Sequence, residues 1–104
     1  MSAIIIFYTL KEGVTKKQYE DWILNTDYPA MRGLTRVQSY INYRAVKPLM
    51  GDGKPSMNYI EVFDIPDLEG FLHEDMGGSV VQKIIGEFMQ YVENPEFVIA
   101  EAVA

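Results

Sequence analysis

The heptapeptide "AIIIFYT", Ala3–Thr9, is too short for an ordinary helix and is built almost entirely of β-branched and aromatic residues, which fit a pleated, half-buried strand. In an extended chain Ile4, Ile6 and Tyr8 face one way and Ile5 and Phe7 the other, so this strand is apolar on both sides and needs cover on both. The rest of the chain must supply that cover.

After Gly13, "VTKKQY" (Val14–Tyr19) offers Thr15 as a helix N-cap with Gln18 three residues on, and places Val14 and Tyr19 to close a hydrophobic staple. Tyr19, Trp22, Ile23 and Thr26 share one side of the helix that follows. Pro29 disturbs its end, and Gly33 caps one further turn. "RVQSYINYRA" (Arg36–Ala45) alternates, with Val37, Ser39, Ile41 and Tyr43 on one face and Gln38, Tyr40, Asn42 and Arg44 on a wetter one. It reads as a second strand. "VKPLMGDGKPS" (46–56) gathers turn residues, and "MNYIEVFDI" (57–65) is a third strand.

Asp64 and Pro66 are start signals for a short helix carrying Leu68, Phe71 and Leu72 at helical spacing, which Gly77 and Gly78 interrupt. Ser79 with Gln82 repeats the capping-box spacing, and Val81, Ile84, Ile85, Phe88 and Val92 form a continuous apolar stripe. Asn94 and Pro95 are expected to stop that helix before "EFVIAEAV" (96–103), the fourth strand. The order β-α-β-β-α-β, with right-handed crossovers, predicts a ferredoxin-like α+β domain: an antiparallel four-stranded sheet with both helices on one face. Two helices shield one face only. A second copy packed sheet on sheet, a homodimer, is the expected cover for the other.

At 104 residues the chain fits one domain, 1–104. A hydrophobic fraction of 48% and a charged fraction of 23% suit a folded protein, with no apolar run of membrane-spanning length. Met1 and Ser2 lead straight into a strand, without a basic segment or cleavage site, so the cytoplasm is the expected compartment. The absence of cysteine excludes disulfides, thiolate nucleophiles and Cys-based metal sites, and a single histidine argues against a metal cage. A net charge of −6 with scattered Lys and Arg disfavours nucleic acid. Neither "GDG" nor "GG" has the setting of a phosphate loop, and no serine stands in a nucleophile elbow.

The stretch "YEDWILNTDYPAMRGLTRVQSY" (19–40) resembles the dimeric α+β barrel superfamily, especially EthD-like proteins, in which an aromatic-rich first helix ends in a His-x-Pro turn. Over nearly the whole chain the sequence is most similar to the RedY-like, HapK-type group from prodigiosin-type pigment pathways. Asp27 takes the place of the EthD-like histidine before Tyr28–Pro29, so chemistry assigned to that histidine does not carry over. The resemblance implies an aromatic-lined cavity between sheet and helices that binds a planar hydrophobic metabolite without an organic cofactor. It further implies a role in condensing a bipyrrole aldehyde with a monopyrrole.

His73, the only histidine, is the catalytic candidate, because an imidazole exchanges protons near neutral pH. It is either a solvated surface residue or an acid/base at a cavity rim, and the resemblance favours the second. Asp27 is its candidate partner, or a direct acceptor for a pyrrole N–H; as a plain helix-terminal residue it would do neither. Tyr8, Tyr40 and Asn42 can offer hydrogen bonds to a ligand, and Trp22, Phe71 and Phe88 flat apolar walls, although aromatics at such spacings also build ordinary cores. Two other functions fit the same scaffold: a cofactorless monooxygenase or isomerase, and a non-catalytic carrier.

Overall fold

Backbone donors determine where the first helix begins. Thr15 Oγ1 accepts from the Gln18 amide at 3.1 Å while Gln18 Oε1 accepts from the Thr15 amide at 3.0 Å, a complete capping box. The computed structural model, which describes residues 2–104, continues from there through α1 (Lys16–Trp22), a π-helical turn (Ile23–Asp27) and α2 (Tyr28–Arg32). Pro29 is accommodated in the first turn of α2, where a missing N–H costs least, and Gly33 ends the helix.

Before this helical run lies β1 (Ser2–Leu10); after it come β2 (Ser39–Arg44), β3 (Tyr59–Asp64), α3 (Leu68–Gly70), a second π turn (Phe71–Asp75), α4 (Ser79–Tyr91) and β4 (Val92–Glu101). The strands form one antiparallel sheet in the order β2-β3-β1-β4, with the helices on one face, so the ferredoxin-like fold expected from the sequence is the one observed. Among the described residues no helix is long and apolar enough to cross a membrane.

Three local expectations are corrected. Asp67, not Asp64 or Pro66, starts α3: its Oδ1 accepts from the Gly70 amide at 3.0 Å, while Asp64 still belongs to β3. At α4 the cap is Gly78, and the Gln82 side chain turns back to the Met76 carbonyl at 2.6 Å instead of closing a box with Ser79. Asn94 and Pro95 do not stop α4, which ends at Tyr91; they form a bulge in β4 between the pairs Phe7–Glu96 and Thr9–Glu93, with Asn94 at φ +53°. The wetter face of β2 is the one turned toward the helices, since Tyr40 is buried whereas Ile41 and Tyr43 are 43% and 50% exposed.

Register carries that inversion across the sheet. Ile41 lies opposite Val62 and Tyr43 opposite Ile60, which in turn lie opposite Ile5 and Phe7. These residues give the outer face an apolar surface. On the inner face Ile6, Tyr8, Tyr40, Tyr59 and Phe63 meet Tyr19, Trp22, Phe71, Val81, Ile84 and Phe88 from the helices in one buried cluster. Burial of this kind is worth about 1.5–3 kcal/mol for each large apolar side chain, and it is what holds the helices to the sheet.

Candidate functional site

The inner cluster is not packed solid. A cavity of about 400 Å³ lies between the sheet and the helices, with Ile4, Ile6 and Phe63 on the sheet side and Phe71, Val81, Ile84 and Phe88 on the helix side. It extends to β4, where Phe97 and Ile99 line it and remain more than half exposed. Two carboxyls line these otherwise apolar walls, those of Asp27 and Glu61.

Backbone geometry delivers both. Asp27 is the last residue of the first π turn; such turns shift the helical register by one residue and recur at functional sites. Here the carboxyl is turned inward and is only 2% exposed. Glu61 stands on β3 between Tyr59 and Phe63 in the alternation that faces the helices, and is 3% exposed.

Tyr40 joins the two. Its hydroxyl bonds Asp27 Oδ2, and Glu61 Oε1 at 2.8 Å. The ring is fixed by stacking on Phe63 at 4.0 Å and by the edge-on ring of Tyr28, while Arg32 donates to the Tyr40 carbonyl from Nε and Nη2 at 3.1 and 2.7 Å. A phenol has one hydrogen, so it can donate to one carboxyl only. The other contact needs a hydrogen from the second carboxyl, and the trio is satisfied when one carboxyl is protonated.

Electrostatics favour that state near neutral pH. Burial, and then the neighbouring Asp27 charge, push the Glu61 carboxyl up to about 8. Burial likewise raises Asp27 to about 6, held back by the Tyr40 bond and the Arg32 charge. The Tyr40 phenol is driven well above its ordinary range, by burial first and by the two carboxyls after it, and stays protonated. The trio can therefore present an acid and a base side by side in an apolar chamber.

The candidates from sequence separate into three groups. Asp27, Phe71 and Phe88 line the cavity. Tyr40 reaches it through its carboxyl partners, and Tyr8 and Asn42 stand behind it, Asn42 Nδ2 donating to the Tyr8 hydroxyl at 2.8 Å and that hydroxyl pairing with Tyr19 at 2.5 Å. Trp22 packs away from the cavity against Tyr19 and Tyr91 and donates to Glu87 at 2.8 Å. His73 does not line the cavity: it is exposed on the second π turn. With Phe71 two residues earlier turned inward, a helical segment turns His73 away, and the Asp27 carboxyl bonds Tyr40 instead. Glu61 is the residue the sequence reading missed. Its signal was a charge at the inward position between two aromatics, masked because Ile60 and Val62 make the opposite face equally apolar.

A family model described as REDY-like protein HapK matches residues 2–103. No curated protein matches the chain by sequence. Among solved structures, HapK from Hahella chejuensis is 26% identical with a TM-score of 0.79, over 99% of this chain and 93% of that one. An EthD family protein from Bacillus halodurans is 19% identical with a TM-score of 0.80, over 99% of both chains, and a dimeric ferredoxin-like protein of unknown function from Thermobifida fusca is 13% identical with a TM-score of 0.74, over 97% and 90%. The last two are similar in fold alone. With the family match spanning almost every residue, this chain belongs to the REDY-like HapK family.

Proposed function

We propose that this chain is a cytoplasmic, homodimeric protein of secondary metabolism that binds a planar aromatic intermediate of pyrrole type and promotes its condensation without an organic cofactor. The observation that carries the reading is the pair of buried carboxyls, bridged by Tyr40, at an otherwise apolar cavity of about 400 Å³. That volume lies in the lower part of the ~300–1,000 Å³ range of small-molecule pockets, and suits a ligand of two or three rings.

In such a condensation the new C–C bond joins a ring carbon to an aldehyde carbon. The carbonyl oxygen gains a proton from the acid form of the pair, and the coupled ring loses its proton to the ionised carboxyl. The carbinol so formed then loses water. A positioned acid or base contributes about 10²–10⁴-fold. His73 has no part in this scheme. Family membership supports the metabolic setting, and the apolar outer sheet face supports pairing of two copies.

The test is condensation of a bipyrrole aldehyde with a monopyrrole by purified protein. Asp27→Asn and Glu61→Gln should each lower the rate at least tenfold. Unchanged rates in both, with ligand binding retained, would make the protein a carrier. A mass in dilute solution that stays at one copy at every concentration would overturn the homodimer.

A further inference from the structure

The hydrogen count at Tyr40 fixes more than a charge state. If Glu61 carries the shared proton, it donates from Oε1 to the phenol oxygen while the phenol donates to Asp27. If Asp27 carries it, the phenol donates to Glu61 Oε1. Either way Glu61 Oε2 is left as a bare acceptor. This oxygen is buried and has no hydrogen-bond partner among the described residues, and its residue, only 3% exposed, lines the cavity. The Tyr8 and Tyr19 hydroxyls lie close enough to favour the charged form of Glu61 as hydrogen-bonding groups, but they pair with each other and neither makes a formed hydrogen bond to Oε2.

We propose that Glu61 Oε2 is the acceptor for a ring N–H, so that the cavity selects N–H heteroaromatics over hydrocarbons of the same shape. The inference rests on the cavity being a ligand site and adds what the ligand must carry. Apolar walls hold any flat guest about equally, because their contribution follows buried area and not direction. Direction comes from the unpaired Glu61 oxygen; the other unpaired buried oxygen among the described residues, Asn42 Oδ1, belongs to a residue that does not line the cavity. A buried acceptor left without a donor costs about 1–3 kcal/mol, which corresponds to roughly 5- to 150-fold in affinity between a guest that supplies the donor and one that does not.

Indole and indene separate these contributions, since they share a bicyclic outline and differ in N–H against CH₂. Isothermal titration should show wild-type protein binding indole at least fivefold more tightly than indene. Glu61→Leu should abolish that preference and still bind indene. The N–H proton of ¹⁵N-labelled indole should move downfield on binding to wild-type protein, a readout that does not depend on any variant folding. Equal binding of the two probes, a preference that survives Glu61→Leu, or an unmoved N–H resonance would overturn the N–H subsite and leave the apolar site standing. Failure of both probes to bind would overturn the ligand site together with it.

Discussion

Raising the pH should weaken the fold through Glu61. Its carboxyl is held at about 8 in the folded protein against 4.5 when free of the fold, so between those values the native state binds more protons than the unfolded chain. Stability then falls as pH rises, and the fall is complete above about pH 8. Each pH unit of that interval is worth ~1.4 kcal/mol, giving up to roughly 5 kcal/mol, a large share of the ~5–15 kcal/mol that holds a typical domain together. Asp27 acts in the same direction over a lower window that ends near pH 6. Urea unfolding followed by the fluorescence of Trp22, the single tryptophan, at pH 5, 7 and 9 measures the effect. Glu61→Gln should stay nearly level between pH 6 and 9 and overtake the wild type at the alkaline end. Parallel curves for the two proteins would show that Glu61 keeps an ordinary carboxyl and that no proton is shared across Tyr40.

Other outcomes follow from the same geometry. His73→Ala should change stability by less than about 0.5 kcal/mol and leave indole affinity unaltered, because the ring is exposed and does not line the cavity; calorimetry and titration measure both. Phe88→Ala removes a buried ring set edge-on to Tyr8 at 4.9 Å, and should cost ~3–5 kcal/mol in chemical denaturation. Thr15→Ala opens the capping box and should cost ~1 kcal/mol, lowering the thermal midpoint without altering ligand binding.

The fold was legible because its signals are local. Ile4 to Phe7 can be apolar on both sides only as a covered strand, and Thr15 with Gln18 marks a helix start through hydrogen bonds that close within four residues. Asn94–Pro95 misled for the converse reason, since the same pair that ends a helix also makes a strand bulge, and only pairing with β1 decides between them. The cavity itself is a long-range product. Asp27 meets Glu61 through Tyr40, on an element distant in sequence from each, and nothing local to any of them announces the meeting. His73 drew attention by its chemistry, but Phe71 takes the inward position on the same turn. A π turn, one residue wider than an α turn, sets which side chain points inward, and its residues carry no distinct composition.

The most direct measurement is a ¹³C NMR titration of the side-chain carboxyls of Asp27 and Glu61, with and without indole. Glu61 should titrate near 8 and Asp27 near 6, and indole should shift the Glu61 resonance. Titration of both carboxyls near 4, with neither responding to indole, would contradict both expectations.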